Sequence, residues 1–453
     1  MSVAPARAAA LEVLGEVRRR HGYAPAVLEA VLDRRGPGPR DRALATRLAY
    51  GTLQAEGVLD EALERFLDRP GSVEPKVRDA LRLAAYELLF ARTPPRAAVN
   101  EGVEAVRRAR REAAPMANAV LRRLAEEAPS FPWGDPASDD GALARATAHP
   151  RWLVDSLIAD LGRDTASRVL AAHCEPAPLY LAHNPFRGGF EALVASLSED
   201  GAEPRACDPM GCVLCASPSH GVRSRALAEG LAVVMDAAAQ VAPLVLGALP
   251  GEVVADLAAG RGGKTMLVQA HAVAAGGRAR LFALDVHPFK VEVLRGRMRR
   301  LGVPGVTALV GDATDPSSIE GLPAAGGLDR VLLDAPCSNL GTLRRHPERR
   351  WRLRRDDLER LSGLQSRLLA SAASLVRPGG VVVYSTCSIS RIENEDVVGA
   401  FLAGEGKGFF ARPLGGAVPA GMRRFVAAEG WFRSLPERDG PDGHFVAALE
   451  RAS

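Results

Sequence analysis

Apolar residues recur at three- and four-residue spacing through most of the first 130 residues of the chain. The pattern is clearest over residues 8–17, 44–53, 77–90 and 99–125. This period matches one face of an α-helix, and turn sequences such as Gly36-Pro37-Gly38-Pro39 separate the segments. We therefore predict an all-helical domain at 1–130. Residues 131–150 are rich in Pro, Gly and Asp and are predicted to form a linker.

The pattern changes after residue 150. Residues 151–235 combine a helical segment with short strand-like pieces, which predicts a small α+β subdomain. Residues 236–453 alternate helical stretches with apolar runs at 253–256, 280–285, 306–312, 331–334 and 381–387. This alternation predicts a parallel, Rossmann-like sheet with helices on both faces, which binds ligands at the carboxyl ends of its strands. The predicted fold class is therefore α/β, preceded by a helical domain.

The composition of the 453 residues is that of a globular protein, with 47% hydrophobic and 25% charged residues. The longest uncharged stretch, 237–251, is shorter than the roughly 20 apolar residues that a membrane helix needs. Six scattered cysteines do not make a disulfide scaffold. We therefore expect a cytoplasmic protein with no membrane partner. The net charge of +4 permits a nucleic-acid partner without demonstrating one.

The first apolar run of the α/β region leads into a glycine-rich loop with the sequence Ala258-Ala259-Gly260-Arg261-Gly262-Gly263-Lys264. Glycines at a strand-to-helix turn let backbone N–H groups approach a ligand closely. A phosphate-binding P-loop is an alternative, but it needs a glycine where Ala258 stands, and the dinucleotide-binding pattern fails there as well. A plain strand-to-helix turn also remains open for this loop alone.

Acidic residues end several of the predicted strands. Asp285 is suited to accept hydrogen bonds from ribose hydroxyls, and Asp312 to accept one from an adenine amino group. A single carboxylate at such a position is more often a helix cap or a turn residue. Asp256 and Asp334 end two further strands. The four strand-end aspartates together indicate a site that binds adenosine without binding a phosphate group.

Two cysteines follow predicted strands of the same sheet. Cys337 lies in Asp334-Ala335-Pro336-Cys337-Ser338, and Cys387 lies in Ser385-Thr386-Cys387-Ser388. A single cysteine is most often a small buried hydrophobic residue. Two cysteines at the ligand-binding edge instead indicate a thiolate nucleophile. We expect no metal there, because the neighbourhood offers no other Cys or His besides His346.

The segment 344–355 contains seven arginines, one glutamate and Trp351. A solvated start of a helix is one interpretation of such a charge run. Its position between the two cysteines favours contact with phosphate groups, and we predict this role for Arg344, Arg345, His346, Arg349 and Arg350.

A second group of potential metal ligands lies earlier in the chain, at Cys207, Cys212, Cys215 and His220. A zinc site is disfavoured, because Cys212–Cys215 alternates like an ordinary strand and no matching half-site follows.

The Asp-Ala-Pro-Cys-Ser box, the arginine-rich stretch and the Ser-Thr-Cys-Ser box resemble, in this order, the motifs of the Nop/Sun family of RNA cytosine-C5 methyltransferases. Near the N-terminus, Tyr50-Gly51-Thr52-Leu53 and Asn118-Ala119-Val120-Leu121-Arg122-Arg123 resemble the RNA-binding antitermination factor NusB. The two domains in this order resemble bacterial enzymes that act on 16S rRNA. The resemblance implies a class I methyltransferase domain, S-adenosylmethionine as the cofactor and 16S rRNA as the partner.

The resemblance also implies roles for single residues. Cys387 would attack C6 of the cytosine and Cys337 would assist product release, whereas DNA cytosine methyltransferases attack with the cysteine that corresponds to Cys337. Asp334 would hold the edge of the cytosine and border the cofactor. The residues implied to bind the cofactor are Ala258, Ala259, Gly260, Arg261, Gly262, Gly263, Lys264, Asp285, Asp312 and Asp334. Arg261 replaces a proline of the family and is expected to point away from the positively charged sulfonium.

Two alternatives to this function remain open at the level of the sequence. The same chemistry on tRNA or on another rRNA position is one of them. The other is a non-catalytic RNA-binding factor of ribosome assembly. The presence of both cysteines and of the strand-end aspartates favours an enzyme over such a factor. We also expect the protein to be a monomer.

Overall fold

The chain folds into two compact units in the computed structural model, which describes residues 4–20 and 22–453. The first unit comprises Met1–Pro176 together with Leu343–Arg355. The second comprises Ala177–Thr342 and Asp356–Ser453. The chain therefore leaves the second unit after Thr342, contributes a short segment to the first unit and returns at Asp356.

The first unit is helical. Its helices are α1 (Pro5–Arg20), α2 (Ala24–Arg35), α3 (Pro39–Gln54), α4 (Glu56–Glu64), α5 (Pro75–Leu89), α6 (Pro95–Ala109), α7 (Ala114–Glu127), α8 (Asp140–Ala146), α9 (Arg151–Leu161) and α10 (Arg163–Ala172). Proline begins α3, α5 and α6, where its missing N–H group costs no hydrogen bond. Leu59, Leu81 and Leu121 are fully buried between the helices. The predicted helical N-terminal domain is thus confirmed.

The segment 131–150 differs from the predicted linker. It contains α8, in which Ala142, Leu143 and Ala144 are buried. The Asp139 side chain caps this helix by accepting a hydrogen bond of 2.7 Å from the N–H group of Gly141. The following helices α9 and α10, which lie within the subdomain predicted from residue 151, cluster with the first unit.

The position of Arg350 contradicts the phosphate contact that we predict for it from the sequence. Its side chain is 0% exposed, and its terminal nitrogens donate to the carbonyls of Thr147, Ala148 and His173 at 3.3, 3.1 and 2.9 Å. Burial and these three carbonyls leave the guanidinium no access to an RNA phosphate. Arg350 is therefore a structural residue that fixes the segment Leu343–Arg355 to its own unit.

The other predicted RNA contacts in this segment differ in their exposure. Arg344 is 2% exposed, and its contact with a phosphate stays a prediction. Arg345 and His346 are half-buried, and Arg349 is exposed. Trp351 anchors the segment, because its Nε1 donates to the carbonyl of Gln54 at 2.7 Å and its ring covers Gly57, where a Cβ would lie 2.2 Å away.

The second unit begins with a small antiparallel sheet. Its strands β1 (Leu179–His183), β2 (Pro204–Cys207), β3 (Cys212–Cys215) and β4 (Ala232–Val234) have the order β2-β3-β1-β4. The helices α11 (Phe190–Glu199), α12 (Pro218–Gly221) and α13 (Arg225–Glu229) accompany it. Leu181, Leu193 and Val213 are fully buried between strands and helices. This confirms the predicted α+β character of the subdomain.

The larger sheet follows. Its strands are β5 (Val253–Asp256), β6 (Arg280–Asp285), β7 (Val306–Val310), β8 (Leu328–Asp334), β9 (Val376–Thr386), β10 (Phe409–Arg412), β11 (Phe432–Ser434) and β12 (His444–Arg451). The accompanying helices are α14 (Val241–Leu246), α15 (Gly263–Ala274), α16 (Pro288–Leu301), α17 (Arg355–Leu375) and α18 (Glu395–Ala403). The strand order is β10-β12-β9-β8-β5-β6-β7, with β11 paired to β12.

Strands β7, β6, β5, β8 and β9 pair in parallel, whereas β12 is antiparallel to β9 and to β10. Val254, Phe282 and Val382 are buried, as expected for a sheet with both faces covered. The predicted Rossmann-like sheet is confirmed, with the antiparallel β12 as an addition. Across residues 4–20 and 22–453, every helix is too short or too polar to span a bilayer.

We predict that Arg350→Met lowers the free energy of unfolding by about 2–4 kcal/mol, because three buried carbonyls lose their charged donor. Urea unfolding of the full chain, followed by circular dichroism, measures this change. Arg349→Met alters the exposed neighbouring residue and is the matched control, with an expected change below about 0.5 kcal/mol. Weaker RNA binding by Arg350→Met at unchanged stability would contradict the structural role.

Candidate active site

Two neighbouring parallel strands bring the two cysteine loops together. In the pairing of β8 with β9, Asp334 lies opposite Ser385. Cys337 follows the end of β8 and Cys387 follows the end of β9, and their Sγ atoms are 3.3 Å apart. Since a disulfide has its sulfurs about 2.05 Å apart, this is a contact between two free cysteines. The structure thus brings two thiols that are far apart in the sequence into contact.

The loop after β8 reaches the loop after β9 through two residues. Asn339, at φ +62°, donates from Nδ2 to the Sγ atom of Cys387 at 3.1 Å. Asn tolerates this left-handed conformation better than most residues. The N–H group of Gly341 donates to the carbonyl of Cys387 at 2.9 Å. A Cβ at Gly341 would lie 2.1 Å from the carbonyl oxygen of Gly443, so the close approach requires glycine.

A buried ion pair lies at the same edge of the sheet. Lys264 Nζ is 2.5 Å from Asp334 Oδ2, and the two side chains are 13% and 30% exposed. Burial opposes the charge of Lys264, but the charge of Asp334 and its hydrogen bond outweigh this and raise the pKa of Lys264. Lys264 therefore stays a cation and orients the Asp334 carboxylate, which remains partly open to a ligand.

The glycine-rich loop owes its shape to two glycines. Gly260 has φ +54° and Gly262 has φ +77°, both in the left-handed region. A Cβ at Gly262 would lie 2.7 Å from Cε of Met298, so a side chain would also clash there. The side chain of Arg261 is exposed, and α15 begins directly after Gly262. The loop thus presents backbone groups at the start of a helix, as the sequence predicts.

Asp256 ends β5 below this loop and is 1% exposed. Its Oδ2 accepts a hydrogen bond of 2.7 Å from Thr265 Oγ1, whereas its Oδ1 is buried without a partner. Burial raises the pKa of Asp256 to about 7, and the charge of Asp334 adds to the effect. A buried oxygen without a donor at the end of a strand is suited to a ligand that supplies one.

Of the predicted nucleoside contacts, Asp285 is the last residue of β6, and Asp312 follows the neighbouring strand β7. Asp285 is buried, and its Oδ1 accepts a hydrogen bond of 2.9 Å from the N–H group of His287. Asp312 is exposed, and its Oδ1 accepts two hydrogen bonds from Thr314. Each carboxylate keeps lone pairs for further donors. These two residues, the glycine-rich loop and the orphaned Asp256 oxygen fit an adenosine-containing ligand.

The two cysteines have different electrostatic surroundings. The hydrogen bond with Cys387, burial and the charges of Cys387 and Glu393 raise the pKa of Cys337 well above its usual value. Cys337 therefore keeps its proton at neutral pH. Cys387 instead accepts a hydrogen bond from the side-chain amide of Asn339.

Sequence reasoning assigned no role to two residues of this site, Asn339 and Glu393. Glu393 is 0% exposed, and it accepts hydrogen bonds from Ser338 and Ser388, which directly follow the two cysteines. The sequence could have indicated both residues, because polar residues follow each cysteine box. Asn339 comes directly after Ser338, and Glu393 begins the run Glu393-Asn394-Glu395.

The second cysteine group lies in the small sheet. Cys207 and Cys212 face each other across the β2–β3 hairpin, and Gln240 Nε2 donates to the Sγ atom of Cys212 at 3.2 Å. His220 contacts Ser217 Oγ at 2.9 Å. Within the described part of the chain, no three His, Cys, Asp or Glu side chains are grouped to hold a metal ion.

Family models match three consecutive parts of the chain. The NusB family model matches residues 4–126, and the model of the RsmF/B-like ferredoxin-like domain matches 149–217. The model for 16S rRNA methyltransferase RsmB/F matches residues 243–450, which include both cysteines and the glycine-rich loop.

Curated bacterial proteins are similar over the whole length. The ribosomal RNA small subunit methyltransferase B of Thermus thermophilus is 35% identical, covering 99% of this chain and 98% of its own. The probable ribosomal RNA small subunit methyltransferase B of Bacillus subtilis is 30% identical, covering 98% of both chains.

Solved structures agree with this picture. The crystal structure of PH0851 has a TM-score of 0.82 and 27% identity and covers all of both chains. A methyltransferase homologue from Pyrococcus horikoshii has a TM-score of 0.58 and 26% identity over 68% of this chain and 97% of its own. With the cysteine pair, the glycine-rich loop and the three domain matches in one chain, the protein belongs to the RsmB/F family of 16S rRNA methyltransferases.

Proposed function

We propose that this enzyme transfers a methyl group from S-adenosylmethionine to C5 of a cytosine in 16S rRNA, through a covalent bond between Cys387 and C6 of the base. The observation that supports this most strongly is the pair of thiols 3.3 Å apart at the carboxyl ends of β8 and β9. Methylation of an exocyclic amino group needs no such nucleophile. The curated relatives, named as small-subunit rRNA methyltransferases, support the choice of RNA.

The cofactor would lie along the ends of β5, β6 and β7. Asp285 would accept hydrogen bonds from the ribose hydroxyls and Asp312 one from the adenine amino group. The backbone of the loop 258–264 would border the amino-acid part of the cofactor. S-adenosylmethionine supplies an electrophilic methyl group when it is bound. The side chain of Arg261 is exposed, and we expect its charge to point away from the sulfonium.

Cytosine C5 is by itself a weak nucleophile, and Cys387 would overcome this. Its thiolate would add to C6, which moves electron density to C5. C5 would then take the methyl group as the bond from the methyl carbon to the sulfonium sulfur breaks and the neutral thioether leaves. A base then removes the proton from C5, and the electron pair of that bond expels the Cys387 thiolate. Cys337 lies beside Cys387 and would assist this elimination, while Asp334, oriented by Lys264, would hold the amino edge of the cytosine.

The different surroundings of the thiols support the choice of Cys387 as nucleophile. Asn339 donates a hydrogen bond to the Cys387 sulfur, whereas Cys337 has a raised pKa and stays protonated. A target cytosine can reach these sulfurs only when it is unpaired or flipped out of its helix. We expect the enzyme to act as a monomer in the cytoplasm.

We predict that Cys387→Ala abolishes methyl transfer, whereas Cys337→Ala accumulates a covalent protein–RNA adduct because elimination is impaired. The assay uses labelled S-adenosylmethionine and unmodified 16S rRNA, with denaturing gels for the adduct. Cys174→Ala, which replaces an exposed cysteine of the first unit, is the control and should retain activity. Full activity of Cys387→Ala would overturn the assignment, and rRNA binding without any methyl transfer by the natural protein would favour a non-catalytic assembly factor.

We predict that Asp285→Ala weakens the binding of S-adenosylmethionine about 10- to 100-fold, because hydrogen bonds to an ionised group contribute about 1.5–3 kcal/mol. Isothermal titration calorimetry measures the dissociation constant. Glu292→Ala on the exposed side of α16 is the control and should bind like the natural protein. Unchanged affinity of Asp285→Ala would place the ribose elsewhere.

A further inference from the structure

A buried carboxylate joins the two cysteine loops from behind. Glu393 ends a short 3₁₀ turn, Arg391–Glu393, and is 0% exposed. Its Oε1 accepts a hydrogen bond of 2.8 Å from the N–H group of Ser338, and its Oε2 accepts from the hydroxyls of Ser338 and Ser388. These serines directly follow Cys337 and Cys387. One carboxylate therefore contacts both loops within one residue of each thiol.

The surrounding residues hold this carboxylate in place. Gln365 on α17 donates to Glu393 Oε1 at 3.1 Å and also to the carbonyl of Pro336 at 2.9 Å. The hydroxyl of Tyr384 on β9 donates to the backbone carbonyl of Glu393. Asn394, the next residue, donates to the carbonyl of Ser388 at 2.9 Å. The two loops, α17 and β9 thus converge on Glu393.

The carboxylate has no cation to balance it among its described contacts; its partners are hydroxyl, amide and backbone N–H groups. Burial of an unbalanced charge is costly unless several donors compensate it. Its field in the low-dielectric interior is correspondingly strong and acts on nearby titratable groups.

We propose that Glu393 is a positioning residue that fixes the distance between the two thiols and keeps the proton on Cys337, so that Cys387 is the nucleophile. The proposal rests on the proposed function and extends it to the division of roles between the cysteines. A negative charge close to Cys337 opposes a second one on its sulfur. The amide of Asn339 instead donates a hydrogen bond to the sulfur of Cys387.

The titratable groups that face the thiols agree with this division. Apart from the other cysteine, the titratable groups that interact with Cys337 are Glu393 and Tyr384. The titratable group that interacts with Cys387 is Lys264. The pKa of Tyr384 is raised well above its usual value by burial and by the charge of Glu393, so this hydroxyl stays neutral. The negative group that acts on Cys337 from outside the pair is therefore Glu393, and the cation on the other side is Lys264.

The test measures the reactivity of each thiol without RNA or cofactor. The full chain is treated with iodoacetamide between pH 6 and 9, and mass spectrometry follows alkylation at Cys337 and Cys387 separately. In the natural protein we expect Cys387 to react faster than Cys337, because the raised pKa of Cys337 keeps that residue as the less reactive thiol. Glu393→Gln removes the charge at nearly constant size, and we expect it to shrink the ratio of the two rates about tenfold by accelerating Cys337.

Glu395→Gln is the matched control, because Glu395 belongs to the same run but pairs with Arg433, at 2.9 Å, instead of contacting the serines. It should leave the ratio unchanged. An unchanged ratio in Glu393→Gln would overturn the proposal. If Glu393→Gln fails to fold, Ser338→Ala and Ser388→Ala each remove one hydroxyl contact, and unchanged ratios in both would overturn it equally.

Methyl transfer provides the second readout. We expect Glu393→Gln to lower kcat for rRNA methylation about 100-fold while the KM for S-adenosylmethionine changes less than about twofold, because only the reacting groups are displaced. A merely structural residue would affect both constants and leave the alkylation ratio alone. If the natural protein shows the thiol asymmetry but methylates no RNA, the proposed function fails while the role of Glu393 stands.

Discussion

The parallel pairing of β8 with β9 is the constraint on which the site depends. Parallel strands end at the same edge of a sheet, so the loops that follow them must lie side by side. The register places Asp334 opposite Ser385, and Cys337 and Cys387 lie in the loops that follow these two residues. The short contact between their sulfurs and the donor from Asn339 join these two loops. The pairing of β8 with β5 on its other side brings Lys264, at the start of α15, to Asp334.

The sequence pattern predicted the sheet, the strand-end residues and the glycine-rich loop, because each of these depends on residues that are close together in the chain. The alternation of apolar runs and helices sufficed for the parallel sheet, because central strands such as β6 and β9 bury most of their residues between covering helices. The same pattern put Cys337, Cys387, Asp285 and Asp312 at strand ends, where the structure has them. The glycine-rich loop was predictable because its left-handed residues need glycine.

The sequence pattern did not predict the roles of residues whose partners lie far away in the chain. Arg350 reads as one of seven arginines in a basic run, but its surroundings are the carbonyls of Thr147, Ala148 and His173, some 200 positions away in the chain. The carbonyl cluster arises only when the turns after α8 and α10 meet. Glu393 was visible as part of a polar run, yet its burial against two serines fifty residues apart has no local signal.

Identification of the residue that bonds to the cytosine tests the central claim most directly. The protein is incubated with S-adenosylmethionine and with 16S rRNA that contains 5-fluorocytosine, whose fluorine blocks the final elimination. Mass spectrometry of the digested adduct then locates the linkage. We predict a methylated 5-fluorocytosine bonded through C6 to the peptide that contains Cys387. A linkage to Cys337, or methyl transfer to an amino group without any adduct, would contradict the account.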